Sequence, residues 1–393
     1  MKQVVIPTKQ HVGAPCEAIV SPGHPVKRGE LIAKPQGLGA NIHSSVTGEV
    51  VEVTPERIVI EYDPQTFNAS EFVPIDETAN NLEKIALAGI VGSGGAGFPA
   101  HVKYAKPVVG GYVIANAAEC EPLLEHNIHY IEQHADELIR GMHYLLELTQ
   151  AAKAYIAIKP KHREAVACLF KAIRAAKSPV EVKLLPDMYP AGDERVVIRE
   201  LVGVTLVPGQ LPIEANCIVS NVETIKNIVR AIELNKPVID KDVTVGGAVE
   251  HHSEVFFDVP IGTAVGELIE CAGGEGKQHG EIVLGGPFTG RSGSEESPVT
   301  KTTGGVLVAL PFPQEHRKIG ILCCECGAQE DRLKEVAEAM GGTVVASERC
   351  KRMVEVGGRY RCELPGICPG QAQTVFALKK QGAEVVLTGT CQD

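Results

Sequence analysis

The sequence predicts a multidomain α/β protein, on three observations. From residue 81 to about 237, helical stretches alternate with short apolar strands, the pattern of βαβ units on a mainly parallel sheet. The flanking regions, 1–75 and 238–312, are instead rich in short β runs between glycine and proline turns. The last stretch, 313–393, alternates strand and helix again and is crowded with cysteine.

Composition bounds the function classes. With 44% hydrophobic and 22% charged residues a packed core is expected, and with 4% aromatics and no Trp that core is aliphatic. The 38 Lys and Arg against 49 Asp and Glu leave a net charge of −11. That argues against nucleic acid as a partner, because a phosphate binder needs a basic face. No apolar run approaches the ~18 residues that span a bilayer. The opening "MKQVVIPT" has too short an apolar stretch for a signal peptide. The expectation is a cytoplasmic protein that is not integral to a membrane, with docking onto a membrane complex and homo-oligomer formation left open.

In chain order, "GELIAKPQG", "IHSSVTGEVVEV" and "RIVIEYD" read as strands of a small β-sandwich. The segment resembles the hammerhead of biotinyl and lipoyl carriers. Its tip, Ile42-His43-Ser44-Ser45, offers no Lys for either cofactor, so a structural module is expected. Residues 63–80 are a polar connector. "NLEKIALAGIV" has helical period, "GYVIAN" is a buried strand, and "HADELIRGMHYLLELTQAA" is a long helix. The strands "KAYIAIK", "VEVKLLP" and "CIVS" alternate with the helices "HREAVACLFKAIRAAK", "DERVVIRELVG" and "NVETIKNIVRAIEL". Then "DVTVGGAV" and "EVFFDV" read as paired strands, "GTAVGELIECAGG" as a helix capped by Gly273, and "GEIVLGGPF" as a strand. The tail reads strand "KIGILCC", helix "DRLKEVAEAMGG", strand "TVVAS", a Cys-rich loop, helix "AQTVFALKKQG" and strand "EVVLTGT".

Gly92, Gly94 and Gly97 spell G-x-G-x-x-G, the usual dinucleotide fingerprint. That fingerprint follows a strand, opens a helix and needs an acid about 20 residues on. Here a helical stretch precedes it, Phe98 and Pro99 follow it, and the next strand ends at Asn116. The simple Rossmann reading therefore fails. Four glycines in six positions still let a ligand press against bare backbone, and successive N–H groups make an anion-binding concavity. A phosphate-bearing cofactor is expected there. Two further elements follow predicted strands, where open α/β sheets bind ligands. They are "NAAECEP", with Asn116, Glu119 and Glu121, and "SNVETIKN", whose Asn221 caps a helix starting near Val222.

Taken in order, "GSGGAGFPAHVK", "NAAECEP" and "NVET" resemble the FMN- and NADH-binding subunit of respiratory complex I, and more closely the RnfC subunit of the Rnf ferredoxin:NAD oxidoreductase. The resemblance covers roughly residues 1–312. It implies a hammerhead module over 1–75, a Rossmann-like FMN-binding α/β domain over 76–237, an SLBB-type β-grasp domain over 238–312 and a Cys-rich α/β redox unit over 313–393. It also implies that Gly92, Gly94, Gly95 and Gly97 wrap the FMN phosphate and ring, with Lys103 nearby. Phe98 would stack against NADH, Asn116 and Glu119 would edge the flavin, and Asn221 and Thr224 would contact its phosphate. Tyr189, Gly192 and Glu194 of "YPAGDE" would line the NADH side, and Glu121 would face the nicotinamide. NADH is the implied electron donor and a partner reductase protein the implied acceptor.

The tail departs from that family, which carries two C-x₂-C-x₂-C-x₃-C-P runs absent here. Cys323 and Cys326 form a C-x-x-C, with Cys362 and Cys368 further on. These four could ligate an iron–sulfur cluster of the 4Fe-4S type or Zn, or Cys323 and Cys326 could act as a dithiol, and spacing does not separate the three. Glu121, Glu194, Cys323 and Cys326 are the expected catalytic residues. A core of this kind with a different Cys-rich tail is similar to electron-transfer proteins associated with D-proline reductase, some of which carry selenocysteine. A selenocysteine after Cys391-Gln392-Asp393 would make the ending C-x-x-U. The leading expectation is an electron-transfer flavoprotein passing electrons from NADH through FMN to a reductase such as proline reductase. An RnfC-type subunit or a cobalamin reductase is the second reading. A scaffold that lost its flavin is the third, disfavoured by the retained glycines and both Asn.

Overall fold

Strand pairing in the computed structural model follows the periodicities of the sequence across the described residues, 1–95, 97–251 and 253–389. Cys391 and the selenocysteine question lie outside them. Lys2–Pro7 alternates, burying Val4 and Ile6, and pairs antiparallel with Arg57–Tyr62, which pairs with Gly48–Val53. A second small sheet of Glu17–Ala18, Leu31–Lys34 and Ile42–His43 closes on the same aliphatic core. The tip of this module is not a free hairpin end. His43, Ser44 and Ser45 are buried, and Ser45 Oγ donates to the Ile261 carbonyl.

A buried ion pair fastens the module to the rest of the chain. Arg28 Nη2 meets both oxygens of Asp240 at 2.8 and 2.7 Å, with both side chains nearly fully buried. Removing one member of such a pair strands the other charge, which destabilises by roughly 3–5 kcal/mol.

The central sheet has four parallel strands in the order Glu181–Leu184, Lys153–Ile158, Tyr112–Ala117, Cys217–Asn221. Their near-continuous apolar character reflects burial on both faces. Val113, Ala115, Ile156 and Ile218 pack under the helices His126–Thr149 and Val222–Leu234. Ile114, Ala157, Cys217 and Val219 pack on the other side with Val197 and Ile198 of the helix Glu194–Val202. The chain runs from the Tyr112 strand outward in one direction and returns on its opposite side as Cys217–Asn221. The carboxyl ends of those two neighbours are thus a topological switch point, where such sheets hold ligands.

A five-stranded sheet follows, with Asp240–Gly247 pairing antiparallel to Glu254–Pro260 and parallel to Gly305–Val308. Its helix Val265–Cys271 ends at Ala272. Gly273 follows at φ +95°, and the Gly273 and Gly274 N–H groups bond the Glu270 and Ile269 carbonyls, a Schellman closure.

The last unit is a parallel sheet in the order Thr343–Arg349, Lys318–Cys323, Val385–Thr388, with the helices Glu330–Ala339 and Ala372–Lys380 packed on different cores. The Cys-rich stretch expected to be loop contains a hairpin, Met353–Val356 with Arg359–Cys362. Gly357 and Gly358, at φ +59° and +77°, make its two-residue turn. Among the described residues no helix is long and apolar enough to cross a membrane.

Candidate functional site

A cavity of about 480 Å³ opens at the switch point of the central sheet. Asn116 and Asn221, the last polar residues of two adjacent parallel strands, are register partners and both line it. Asn221 is also the N-cap of Val222–Leu234. Its side chain accepts from the Glu223 N–H at 2.9 Å and stands beside Gly94. The glycine loop is closed on itself by Gly92 N–H to Phe98 O and Gly97 N–H to Gly92 O. Ser93 N–H donates to Thr224 Oγ1 at 2.9 Å, which anchors the loop to the first turn of that helix. Gly92 and Gly94 therefore present backbone, without side chains, to the cavity.

The opposite wall is built by the 116–121 and 189–194 segments. Asn116 Nδ2 donates to the Gly192 carbonyl at 2.8 Å, and its Oδ1 accepts from the Ala118 N–H at 3.2 Å. Both ends of this amide hold protein backbone, so Asn116 positions the two wall segments. A Cβ on Gly192 would stand 2.7 Å from the Ala118 carbonyl oxygen and the Cys120 sulfur, so only glycine permits this approach. Glu121 accepts from the Phe288 N–H at 2.8 Å and from the Thr289 hydroxyl, tying the five-stranded domain into the wall. Phe288 and Tyr189 meet edge to face at 4.6 Å between ring centroids.

The cavity disfavours charge. Burial raises the Glu119 carboxyl, with the Asn127 amide at 3.1 Å opposing it. Glu194 lines the cavity and keeps access to solvent, and partial desolvation by the surrounding wall raises its carboxyl against the pull of Lys103. Burial lowers Lys103, whose ammonium donates to the Val219 carbonyl. Cys120 is pushed up to about 11 by burial, although the Gly192 N–H donates to its sulfur.

The Cys-rich unit closes one side, contributing Glu325, Cys326, Arg361 and Pro365 to the wall. Glu325 is the junction. It takes Arg195 at 2.9 Å, Arg361 at 2.8 Å and the Cys362 N–H, and these donors hold its carboxyl below the ordinary glutamate value despite burial. Arg195 also donates to the Cys362 carbonyl at 3.0 Å. The single Cys326 S–H serves either Cys324 or Cys362, and this proximity lowers those two to about 6 and about 7 and raises Cys326. Gln371 Nε2 approaches the Cys350 sulfur at 3.0 Å and Cys368 at 3.7 Å.

Of the residues singled out in the sequence, Gly92, Gly94, Lys103, Asn116, Glu119, Glu121, Tyr189, Gly192, Glu194, Asn221 and Cys326 share this cavity. Gly95, Gly97, Phe98 and Thr224 are not on its wall. Gly97 packs on His11 of the first module, the Phe98 carbonyl closes the loop, and Thr224 is engaged by Ser93. Glu121 does not project freely toward a nicotinamide, because both its oxygens are held by residues 288–289. The expected pairing of Cys323 with Cys326 is also corrected. Cys323 ends a strand whose alternation, Ile319, Ile321, Cys323, turns it into the core beside Leu333, where it meets Ser347 Oγ at 3.7 Å. The set Cys323, Cys326, Cys362 and Cys368 is not assembled, and among the described residues no group of three or more His, Cys, Asp or Glu is arranged to hold a metal ion. Sequence reasoning missed Arg195, Glu325, Arg361 and Cys324. Their one legible signal is the acid inside "CCEC".

Comparisons with known proteins bear on the family of the chain. Residues 85–230 match the model of the Nuo51 FMN-binding domain, and residues 1–68 match the RnfC barrel sandwich hybrid domain. A cobalamin reductase, PduS, of Citrobacter freundii is 40% identical over 71% of this chain and 57% of its own length. The C subunit of the proton-translocating ferredoxin:NAD(+) oxidoreductase complex of Clostridium ljungdahlii is 33% identical over 78% of this chain and 70% of its own. A chain of an NAD+-reducing NiFe hydrogenase shares the fold, with a TM-score of 0.50 at 22% identity, over 59% of this chain and 46% of that one. The chain thus spans little more than half the length of the cobalamin reductase it matches. On the Clostridium ljungdahlii relative and the RnfC domain match, the chain belongs to the RnfC family.

Proposed function

We propose that the cavity holds FMN, that NADH delivers hydride to it, and that the electrons leave to a partner reductase protein. One observation supports this above the rest. Asn116 and Asn221 stand in register at the switch point with the bare backbone of Gly92 and Gly94 beside them. The residues present fit the group. The volume lies within the ~300–1,000 Å³ of small-molecule sites, and the capped N-terminus of the helix Val222–Leu234 suits a phosphate. The raised Glu119 and Glu194 carboxyls suit a flat, uncharged ring.

FMN would supply two-electron acceptance from a nicotinamide; the protein supplies position and exclusion of water. Asn116 sets the spacing of the two wall segments. Glu121 and the Tyr189–Phe288 contact hold the 288–289 segment closed over the site. Glu194, the helix-opening acid, would lie on the nicotinamide side. The cobalamin reductase and Rnf relatives favour a second reading, in which the same core serves a longer electron-transfer assembly. A proline reductase as acceptor rests on the Cys-rich tail alone.

FMN fluorescence quenching on titration with protein tests the cofactor. Wild type should bind stoichiometrically, and Gly94→Val should weaken binding at least about tenfold, ~1.4 kcal/mol. Failure of wild type to quench FMN would favour a scaffold that has lost its flavin.

A further inference from the structure

We propose that Cys326 and Cys362 form a redox-active cysteine pair that exchanges two electrons with the group seated in the cavity. The identity of that group rests on the flavin reading above; the pair itself rests on geometry.

Cys326 is on the cavity wall, in the turn that follows Lys318–Cys323. That turn lies at the carboxyl edge of the second parallel sheet, where the order reverses between Thr343–Arg349 on one side and Val385–Thr388 on the other. It is a second switch point, facing the first across the same cavity. Cys362 comes from a separate element, the end of the hairpin strand Arg359–Cys362. Its backbone is pinned beside Cys326 from both sides: its N–H donates to Glu325, the residue before Cys326, and its carbonyl accepts from Arg195. Arg195 closes the triangle by donating to Glu325. Each thiol acts on the other: Cys326 depresses the Cys362 thiol and is itself raised by it. Cys324 also touches Cys326, but the two share one tight turn that the Gly327 N–H to Cys324 carbonyl bond fixes. Cys323 is turned into the core and takes no part.

In the oxidised protein the sulfurs of Cys326 and Cys362 are joined. The S–S bond accepts an electron pair from a two-electron donor in the cavity, reduced flavin on the present reading, and breaks. The two sulfurs take up two protons, one from the donor and one from solvent, and the donor is left oxidised. The dithiol then gives the same electron pair to a disulfide of a partner protein, which is reduced as the Cys326–Cys362 bond re-forms.

The test begins with flavin-free full chain, equilibrated anaerobically in graded mixtures of reduced and oxidised dithiothreitol, alkylated and mapped by peptide mass. Alkylated Cys326 and Cys362 peptides should disappear together and reappear as one linked pair. Cys323→Ser should behave as wild type, and Cys362→Ser should leave Cys326 alkylated at every ratio, with matching melting curves as the folding control. No link at any ratio, a link from Cys326 to Cys324 or Cys350, or a tightly bound zinc or iron in the native mass would overturn the pair. With FMN added and NADH replacing dithiothreitol, the linked pair should be lost only when both are present. A link that dithiothreitol reverses in protein that retains no FMN refutes the flavin reading and leaves the pair standing. FMN bleached by NADH while the link persists refutes the exchange and leaves the flavin reading standing.

Discussion

Arg195 Nη2 lies 2.9 Å from Glu325 Oε2, joining the helix that opens beside the cavity to the turn that carries Cys326. Both side chains are largely buried, 11% and 12% exposed, and Glu325 also takes Arg361 and the Cys362 N–H. This one carboxylate couples the Cys-rich unit to the cavity. Glu325→Gln should lower stability by about 1–3 kcal/mol and expose the 350–371 segment to limited proteolysis. The folded carboxyl is depressed, so its stabilisation is complete above the ordinary value of 4.5 and is lost as pH falls through the lower folded value. Melting curves taken downward through that range should show the loss in wild type and a flatter profile in the variant.

Asn221 carries two jobs at once, capping Val222–Leu234 and lining the cavity. Asn221→Ala should cost about 1 kcal/mol of stability and weaken FMN binding. Asn221→Asp keeps the cap and places an anion beside the glycine loop. It should retain the melting temperature yet bind FMN more weakly than wild type. Equal FMN affinity in all three proteins would show that the residue is a cap and nothing more.

Lys301 is buried between the first module and the glycine loop, donating to the Asn41 and Gly89 carbonyls at 2.6 Å each. Burial lowers it from 10.5 to about 7. Between those values the unfolded chain holds a proton that the folded chain has released, so stability rises with pH across that window and is insensitive to this group below it. Urea midpoints should climb from pH 7 toward pH 10 in wild type. Lys301→Met should remove that climb, while leaving two carbonyls unpaired.

Cys324 accepts a hydrogen bond from Cys326, which lowers it to about 6. Its alkylation by iodoacetamide should therefore be half-maximal near pH 6, well below the ordinary 9.0. Cys326→Ser keeps a hydroxyl donor and should shift the midpoint little, whereas Cys326→Ala should raise it. Mass-resolved alkylation rates across pH read this directly.

Much of this site is legible in the sequence. The failed Rossmann context of the glycine loop is plain from the helical period of Asn81–Leu87 and from Pro99. The strand ends at Asn116 and Asn221 follow from short β-branched runs before polar residues. Sequence does not show that these two Asn are register partners, because parallel pairing across a gap of about a hundred residues leaves no local trace. Cys323 misleads because its C-x-x-C spacing competes with the simple alternation of Ile319, Ile321 and Cys323, and the alternation is what buries it. The hairpin inside the Cys-rich stretch does carry a signal, Gly357-Gly358 between Val356 and Arg359, the two-glycine turn between paired strands. The hold of Glu325 on Arg195 joins units more than a hundred residues apart, and only the assembled fold reveals it.

The central claim, that this cavity is a flavin site served by NADH, is tested most directly by anaerobic addition of NADH to protein reconstituted with FMN and freed of excess cofactor. Rapid bleaching of the visible flavin band, slowed in Gly94→Val and restored by air, is the expected result. Retained flavin that NADH leaves oxidised, or protein that retains no flavin at all, would contradict it.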